Sequence, residues 1–280
     1  MMKTNSNPND KSVAFLYGNA FGRVLLQFIL FIKIPKLLGF YLRTRLSKGR
    51  VKKFIAQHNI DMSEFEGVKF KTFNDFFTRR KNIEVNVPEE SLIAPSDSAL
   101  SVFKIEENSV FRIKGFDYTL EDFFANKSVT PDFEETLKSF AGGDCLVFRL
   151  AATDYHRYCY IDSGSLEKNH FIKGRLYSVQ PAACENYRVY TKNRRSWTIL
   201  HTDHFGDVAQ IEVGAFSVGG ICNHHEDYRF RKGEEKGYFD LHGSTIVLLF
   251  KKGAVKLKDE ILEGTKDGAE YRVKYGQIIG

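Results

Sequence analysis

The chain has 280 residues, with 41 Lys or Arg against 35 Asp or Glu, 42% hydrophobic residues, 25 Phe and 13 Tyr. This composition excludes a disordered tail, a collagen-like chain and a disulfide-stapled miniprotein, and the length suits one large domain or two small ones of ~100 to 200 residues. The four Cys (Cys145, Cys159, Cys184, Cys222) form no C-x-x-C pair, so they predict reduced thiols and a place on the cytosolic side of a membrane.

From Lys11 to Ile60 there are ten Lys or Arg and no Asp or Glu; the rest of the chain holds 31 basic against 35 acidic residues, so the positive excess is local. The same segment contains V-L-L-Q-F-I-L-F-I (Val24 to Ile32) and L-L-G-F-Y-L (Leu37 to Leu42). Neither run reaches the ~20 apolar residues that cross a bilayer. Basic residues among Phe, Leu and Ile instead predict helices on an anionic membrane surface, where each Lys or Arg contributes about 1 kcal/mol. The plainer alternative is an amphipathic helix packed on the core with a solvated basic face. Nucleic acid is not expected, since no recognition motif accompanies the charge. The polar start M-M-K-T-N-S-N-P-N-D does not read as a signal peptide.

In chain order, Phe15 to Leu46 and Val51 to His58 read as helices, and T-F-N-D-F-F-T-R-R (Thr72 to Arg80) as a short one capped by Thr72 or Asn74. Beyond about residue 90 the pattern changes to strands: L-S-V-F-K-I, V-F-R-I-K-G, C-L-V-F-R-L, D-V-A-Q-I-E-V-G-A-F-S-V and S-T-I-V-L-L-F. The expectation is an α+β protein, with N-terminal helices on a mainly antiparallel β body. The boundary is placed between a helical, membrane-associating region (1–88) and a β-rich catalytic body (89–280).

No G-x-G-x-x-G, Walker loop, H-E-x-x-H or G-x-S-x-G is present. What remains is A-P-S-D-S-A-L (Ala94 to Leu100), D-Y-H-R-Y-C-Y (Asp154 to Tyr160), N-H-H-E (Asn223 to Glu226) and H-G-S-T-I-V-L-L-F (His242 to Phe250). Singly these are weak: an Asp in P-S-D-S is usually a turn residue, and adjacent strand residues such as His224 and His225 point to opposite faces, against a shared metal.

Together, and in this order with F-N-D-F-F-T-R-R, F-G-D-V-A-Q-I-E-V-G-A and K-G-E-E-K-G-Y-F, they resemble the phosphatidylserine decarboxylases over most of the chain. The resemblance implies self-cleavage between Gly243 and Ser244, giving chains of 243 and 37 residues. Ser244 would attack the Gly243 carbonyl; the ester would eliminate, and hydrolysis of the dehydroalanine would leave a covalent pyruvoyl (pyruvate) cofactor. A serine is needed because its oxygen is both nucleophile and leaving group, and a positioned base must take its proton. Asp97 matches the family's relay Asp. The ketone would then form a Schiff base with the amine of phosphatidylserine and act as electron sink, yielding phosphatidylethanolamine and carbon dioxide. His156 matches a His placed for decarboxylation or substrate positioning.

Two positions depart from the family pattern. The relay His expected three residues after His156 is Cys159, whose unperturbed pKa of ~8.5 leaves it mostly neutral at pH 7. Asp97 lies in P-S-D-S rather than P-x-D-G. Processing could therefore use His156, recruit His224 or His225, or be lost. The alternatives are a non-catalytic membrane-binding relative, a decarboxylase of another amino-acid-headed substrate and, last, a serine hydrolase. With a lipid substrate, the basic aromatic helices would dock the enzyme peripherally on the cytoplasmic face of the cell membrane. The oligomeric state stays open, with a homodimer as the alternative to a monomer.

Overall fold

A computed structural model describes residues 8–108, 110–113, 116–124, 131–215, 220–241 and 244–280. The helical stretch expected over Phe15 to Leu46 is three helices, α1 (Pro8–Gly18), α2 (Ala20–Phe31) and α3 (Ile34–Leu42). Two breaks divide it. Asn19 is extended and its side chain accepts a hydrogen bond from the Gly22 N–H at 2.7 Å, capping α2. Lys33 is left-handed at φ 60°, and Pro35 sits in the first turn of α3. The bend between α1 and α2 is 100°. There a Cβ on Gly22 would lie 2.0 Å from the Phe15 carbonyl oxygen, so only glycine allows the crossing. Among the described residues no single helix is long and apolar enough to cross a membrane.

Gly22, Leu26, Pro35, Gly39 and Leu42 turn inward from α2 and α3, whereas Phe21, Val24, Phe28, Phe31, Leu37 and Phe40 face out, 57% to 81% exposed. Exposed Arg23, Lys33, Lys36, Arg43 and Arg45 flank this apolar face. Next come α4 (Lys48–His58) and α5 (Phe73–Phe77), whose cap is Thr72, accepting from the Asp75 N–H at 3.0 Å.

The body comprises β1 (Ser98–Lys104), β2 (Val110–Ile113), β3 (Phe116–Thr119), α6 (Leu120–Phe124), α7 (Pro131–Lys138), β4 (Asp144–Leu150), β5 (Arg157–Cys159), β6 (Gly164–Leu166) and β7 (His170–Ile172). It continues through α8 (Pro181–Cys184), α9 (Val189–Lys192), β8 (Arg195–Thr202), β9 (Gly206–Val213), β10 (Gly220–Asn223), β11 (Tyr228–Phe230), β12 (Glu235–Asp240), β13 (Ser244–Phe250), α10 (Asp259–Gly264) and β14 (Tyr271–Val273). The expected α+β class holds, and every ladder between these strands is antiparallel. The strand pattern did not foretell the short helices α6 to α10 inside the body.

The main sheet runs β11-β6-β8-β9-β13-β4-β1-β14, with β7 also on β8; β10-β12-β5 and β2-β3 form two smaller sheets. β13 is central and every one of its side chains is buried, which explains its unbroken apolar run. Val247 and Leu249 enter one core, shared with Tyr17, Leu26 and Trp197; Ile246, Leu248 and Phe250 enter the other, shared with Tyr158, Phe239 and Ile279. A third cluster joins α3 and α4 to α5 through Leu42, Val51, Phe73, Phe76 and Phe77, and includes Leu241 from the end of β12.

Candidate active site

Ser244 opens β13 and is buried; its backbone lies opposite Leu150 of β4, and its neighbour Thr245 pairs with Val213 of β9 and Arg149 of β4. Gly243 and His242 lie outside the described residues, so the bond expected to break is not described. Leu241, just before them, is left-handed at φ 53°, a conformation costing a non-glycine residue roughly 1–2 kcal/mol, and is held there within the α3–α5 cluster. In register, Thr245, Arg149, Ala99 and Arg272 form one row across β13, β4, β1 and β14. The P-S-D and D-Y-H-R segments and Ser244–Thr245 therefore lie at the same end of the sheet.

His156 follows the turn that leaves β4. Asp154 organises that turn: its Oδ2 accepts from the Ala151 N–H at 2.7 Å, and the Arg272 guanidinium donates to Oδ1 at 2.6 Å and Oδ2 at 3.2 Å. The Asp154 backbone carbonyl is 2.9 Å from His156 Nδ1. A carbonyl only accepts, so Nδ1 carries a proton and donates to it. The ring lies on Phe77, with centroids 4.0 Å apart. The Phe239 N–H donates to the His156 carbonyl at 2.8 Å, tying this loop to the strand that leads to residues 242 and 243.

Asp97 and Cys159 form a second group. Asp97 Oδ1 accepts from the Tyr275 N–H at 2.9 Å, and Lys274 Nζ lies 3.4 Å from Oδ2. The Cys159 N–H donates to the Pro95 carbonyl at 2.9 Å, and its thiol points at the same oxygen at 3.5 Å. The thiol is fully buried, and burial pushes its pKa up to about 12 against smaller lowering contacts from Tyr275 and Gly276. The Tyr275 hydroxyl donates to the Gly233 carbonyl at 3.1 Å, and its own pKa is raised by burial and by Cys159. Among the described residues no hydrogen bond joins Asp97 to His156 or to Cys159. His224 Nε2 is engaged by Glu235 at 2.8 Å, and His225 stacks on Tyr228.

Sequence reasoning missed three features. Arg272, Lys274 and Tyr275, close to the C-terminus, grip Asp154 and Asp97, and no local motif marks them. A cleft of about 510 Å³ opens beside them, lined by Arg80, Lys81, Asn82, Tyr155, Glu235 and Tyr275 among others. Between the two larger sheets, fully buried Lys236 donates to Glu212 at 2.7 Å, Asn223 at 2.8 Å and Asn169 at 3.1 Å; burial lowers its pKa while Glu212 opposes that shift. The signal for this pair lies in A-Q-I-E-V and E-E-K-G, where a charged residue interrupts each strand's inward face.

A family model described as phosphatidylserine decarboxylase matches residues 73–280. Over 270 residues the chain is 40% identical to phosphatidylserine decarboxylase proenzyme 2 of Clostridium acetobutylicum, covering 95% of this chain and 90% of that relative. Over 281 residues it is 40% identical to a phosphatidylserine decarboxylase proenzyme of Clostridium perfringens, covering 96% and 92%. A third relative of that name, from Clostridium beijerinckii, is 37% identical over 279 residues, with coverage of 96% and 92%. These likenesses place the molecule among the carboxy-lyases. The chain belongs to the phosphatidylserine decarboxylase family.

Proposed function

We propose that this chain cleaves itself between Gly243 and Ser244 and then decarboxylates phosphatidylserine to phosphatidylethanolamine on an anionic membrane surface. The observation that carries the reading is Ser244, buried at the first position of the central strand beside the His156 loop, within a family match that runs over residues 73–280. The donor set suits a pyruvoyl group made from Ser244: a hydroxyl at the start of a strand and a histidine on the adjoining turn. When formed, that ketone supplies the electron sink for loss of the substrate carboxylate.

The residues divide the work as their environments dictate. Ser244 Oγ needs a base to accept its proton as it attacks the Gly243 carbonyl. Cys159 does not serve, because a thiol near pKa 12 is neutral and its hydrogen is directed at Pro95. His156 does, as the imidazole on the turn that adjoins Ser244, with its Nδ1–H fixed on the Asp154 carbonyl. The same ring then donates a proton to the substrate α-carbon. Asp97 holds Tyr275 and the P-S-D loop rather than a relay histidine. The exposed Phe and Leu face of α2 and α3, rimmed by Lys and Arg, supports peripheral docking on an anionic leaflet, and four cysteines outside any disulfide fit its cytoplasmic side.

Denaturing intact-mass analysis combined with carbon dioxide release from phosphatidylserine vesicles tests the reading. Two chains split after Gly243, a pyruvoyl mass on the smaller, and loss of both cleavage and carbon dioxide in Ser244→Ala are expected. An uncut wild-type chain in the presence of anionic vesicles overturns it and leaves a non-catalytic relative, and carbon dioxide release by Ser244→Ala overturns the role given to Ser244.

A further inference from the structure

We propose that Arg272 is a positioning residue for His156, acting through Asp154; the proposal rests on the catalytic role given to His156 above. Arg272 belongs to the segment that begins at Ser244, whereas Asp154 and His156 precede it. If the chain is cut at Gly243, the small chain thus supplies the clamp that orients a histidine of the large chain.

Three observations support the assignment. The Asp154 carboxylate is 8% exposed and takes both arms of the Arg272 guanidinium, at 2.6 and 3.2 Å, together with the Ala151 N–H at 2.7 Å. A buried carboxylate is tolerated only with such partners, and the planar fork of an arginine fixes its orientation as well as its charge. The backbone carbonyl of the same Asp154 accepts the Nδ1–H of His156 at 2.9 Å, so the angle of this one residue selects which ring nitrogen holds the proton. Finally, Arg272 stands on the edge strand β14 and its side chain is 53% exposed, so no core depends on its volume. Removing it leaves the Asp154 carboxylate held by the Ala151 N–H alone, which loosens the turn whose Asp154 carbonyl holds His156.

The neighbouring residues show the same arrangement. Tyr275 and Lys274 hold Asp97, and Glu270 takes the Arg149 guanidinium at 2.9 and 2.5 Å. Residues 270 to 275 thus reach three separate loops or strands of the preceding chain. Arg272 is the member of this group whose partner contacts the histidine.

The experiment compares wild type, Arg272→Ala and Arg272→Lys in two readouts. Nitrogen-15 spectra of labelled histidine, with His156 assigned by its loss in His156→Gln, should show a single Nδ1–H tautomer in wild type. In Arg272→Ala the two ring nitrogens should average, with partial return in Arg272→Lys. In the decarboxylation assay, Arg272→Ala should lower kcat by roughly tenfold or more, leave KM within about twofold, and be partly rescued by Lys, since small misplacements of a reacting group carry penalties of this order. An unchanged His156 tautomer in Arg272→Ala, or a loss confined to KM, overturns the proposal. The two failures are separable: a tautomer change in a chain that releases no carbon dioxide upholds the clamp and refutes the assigned activity.

Discussion

Replacing Cys159 with alanine tests which side chain removes the Ser244 proton. With burial raising the thiol to about 12, the thiolate fraction at pH 7 is about 10⁻⁵. A base populated to that extent contributes nothing measurable to a reaction in which general bases typically contribute 10²–10⁴-fold. Cys159→Ala should therefore self-cleave within about twofold of the wild-type rate, while losing about 1–2 kcal/mol of stability as a small buried side chain is truncated. The assay is a time course of chain cleavage after cell-free synthesis, quenched in acid and read by intact mass, with urea unfolding of the uncut Ser244→Ala background as the stability control. His156→Ala, made in parallel, should leave the chain whole. A Cys159→Ala chain that cleaves more than tenfold slower at undiminished stability would refute the reasoning, because the thiol would then be acting chemically from a site that keeps it neutral.

The buried thiols also set an alkaline limit. Burial raises both Cys145 and Cys159, so their contribution to stability is complete below the ordinary thiol range of ~8.5 and is lost as pH climbs towards the raised values. Unfolding followed from pH 8 to 11 should show a falling limb that is shallower in Cys159→Ala; equal slopes would contradict the assigned burial. Lys236→Met should cost about 3–5 kcal/mol in urea unfolding by leaving Glu212 buried and unpaired, and the double variant with Glu212→Leu should recover much of it. Cleaved wild-type chains should co-elute in native gel filtration and separate only in denaturant, because β13 stays paired to β4 and β9 along its length; spontaneous dissociation would count against the topology. Phe31→Ser and Phe40→Ser should each weaken sedimentation with anionic vesicles by roughly tenfold, given about 1.5–3 kcal/mol per buried Phe, and undiminished binding would move the docking face elsewhere.

The sequence carried most of the architecture wherever the signal was local. β13 was legible because a strand covered on both faces must be apolar throughout, and α5 because Thr72 and the Phe pattern mark a capped, buried turn of helix. The breaks at Asn19 and Lys33 were not, since the apolar pattern continues through both and the bends depend on the α1–α2 crossing and on a left-handed lysine. Among the strands not expected, β5, β6, β7, β11 and β14 have three residues each, too few to establish a two-residue period, whereas β8 and β12 are long enough to read and were passed over.

The site was legible only as an ordered set of motifs, and the sheet supplies the physical reason. Asp97, His156 and Ser244 come from chain positions far apart, yet each lies at or just beyond the same end of β1, β4 or β13, so antiparallel pairing brings their segments to one end of the sheet. Antiparallel pairing also accounts for what was missed. β14 joins β1 at the edge of the sheet, which brings residues 270 to 275 alongside Asp97 and Asp154 without any short-range pattern in the sequence. A strand that follows the expected cleavage point is thereby built into the geometry of residues that precede it. A break at residue 243 would therefore leave the site intact, because the two products meet in one sheet through β13 at its centre and β14 at its edge.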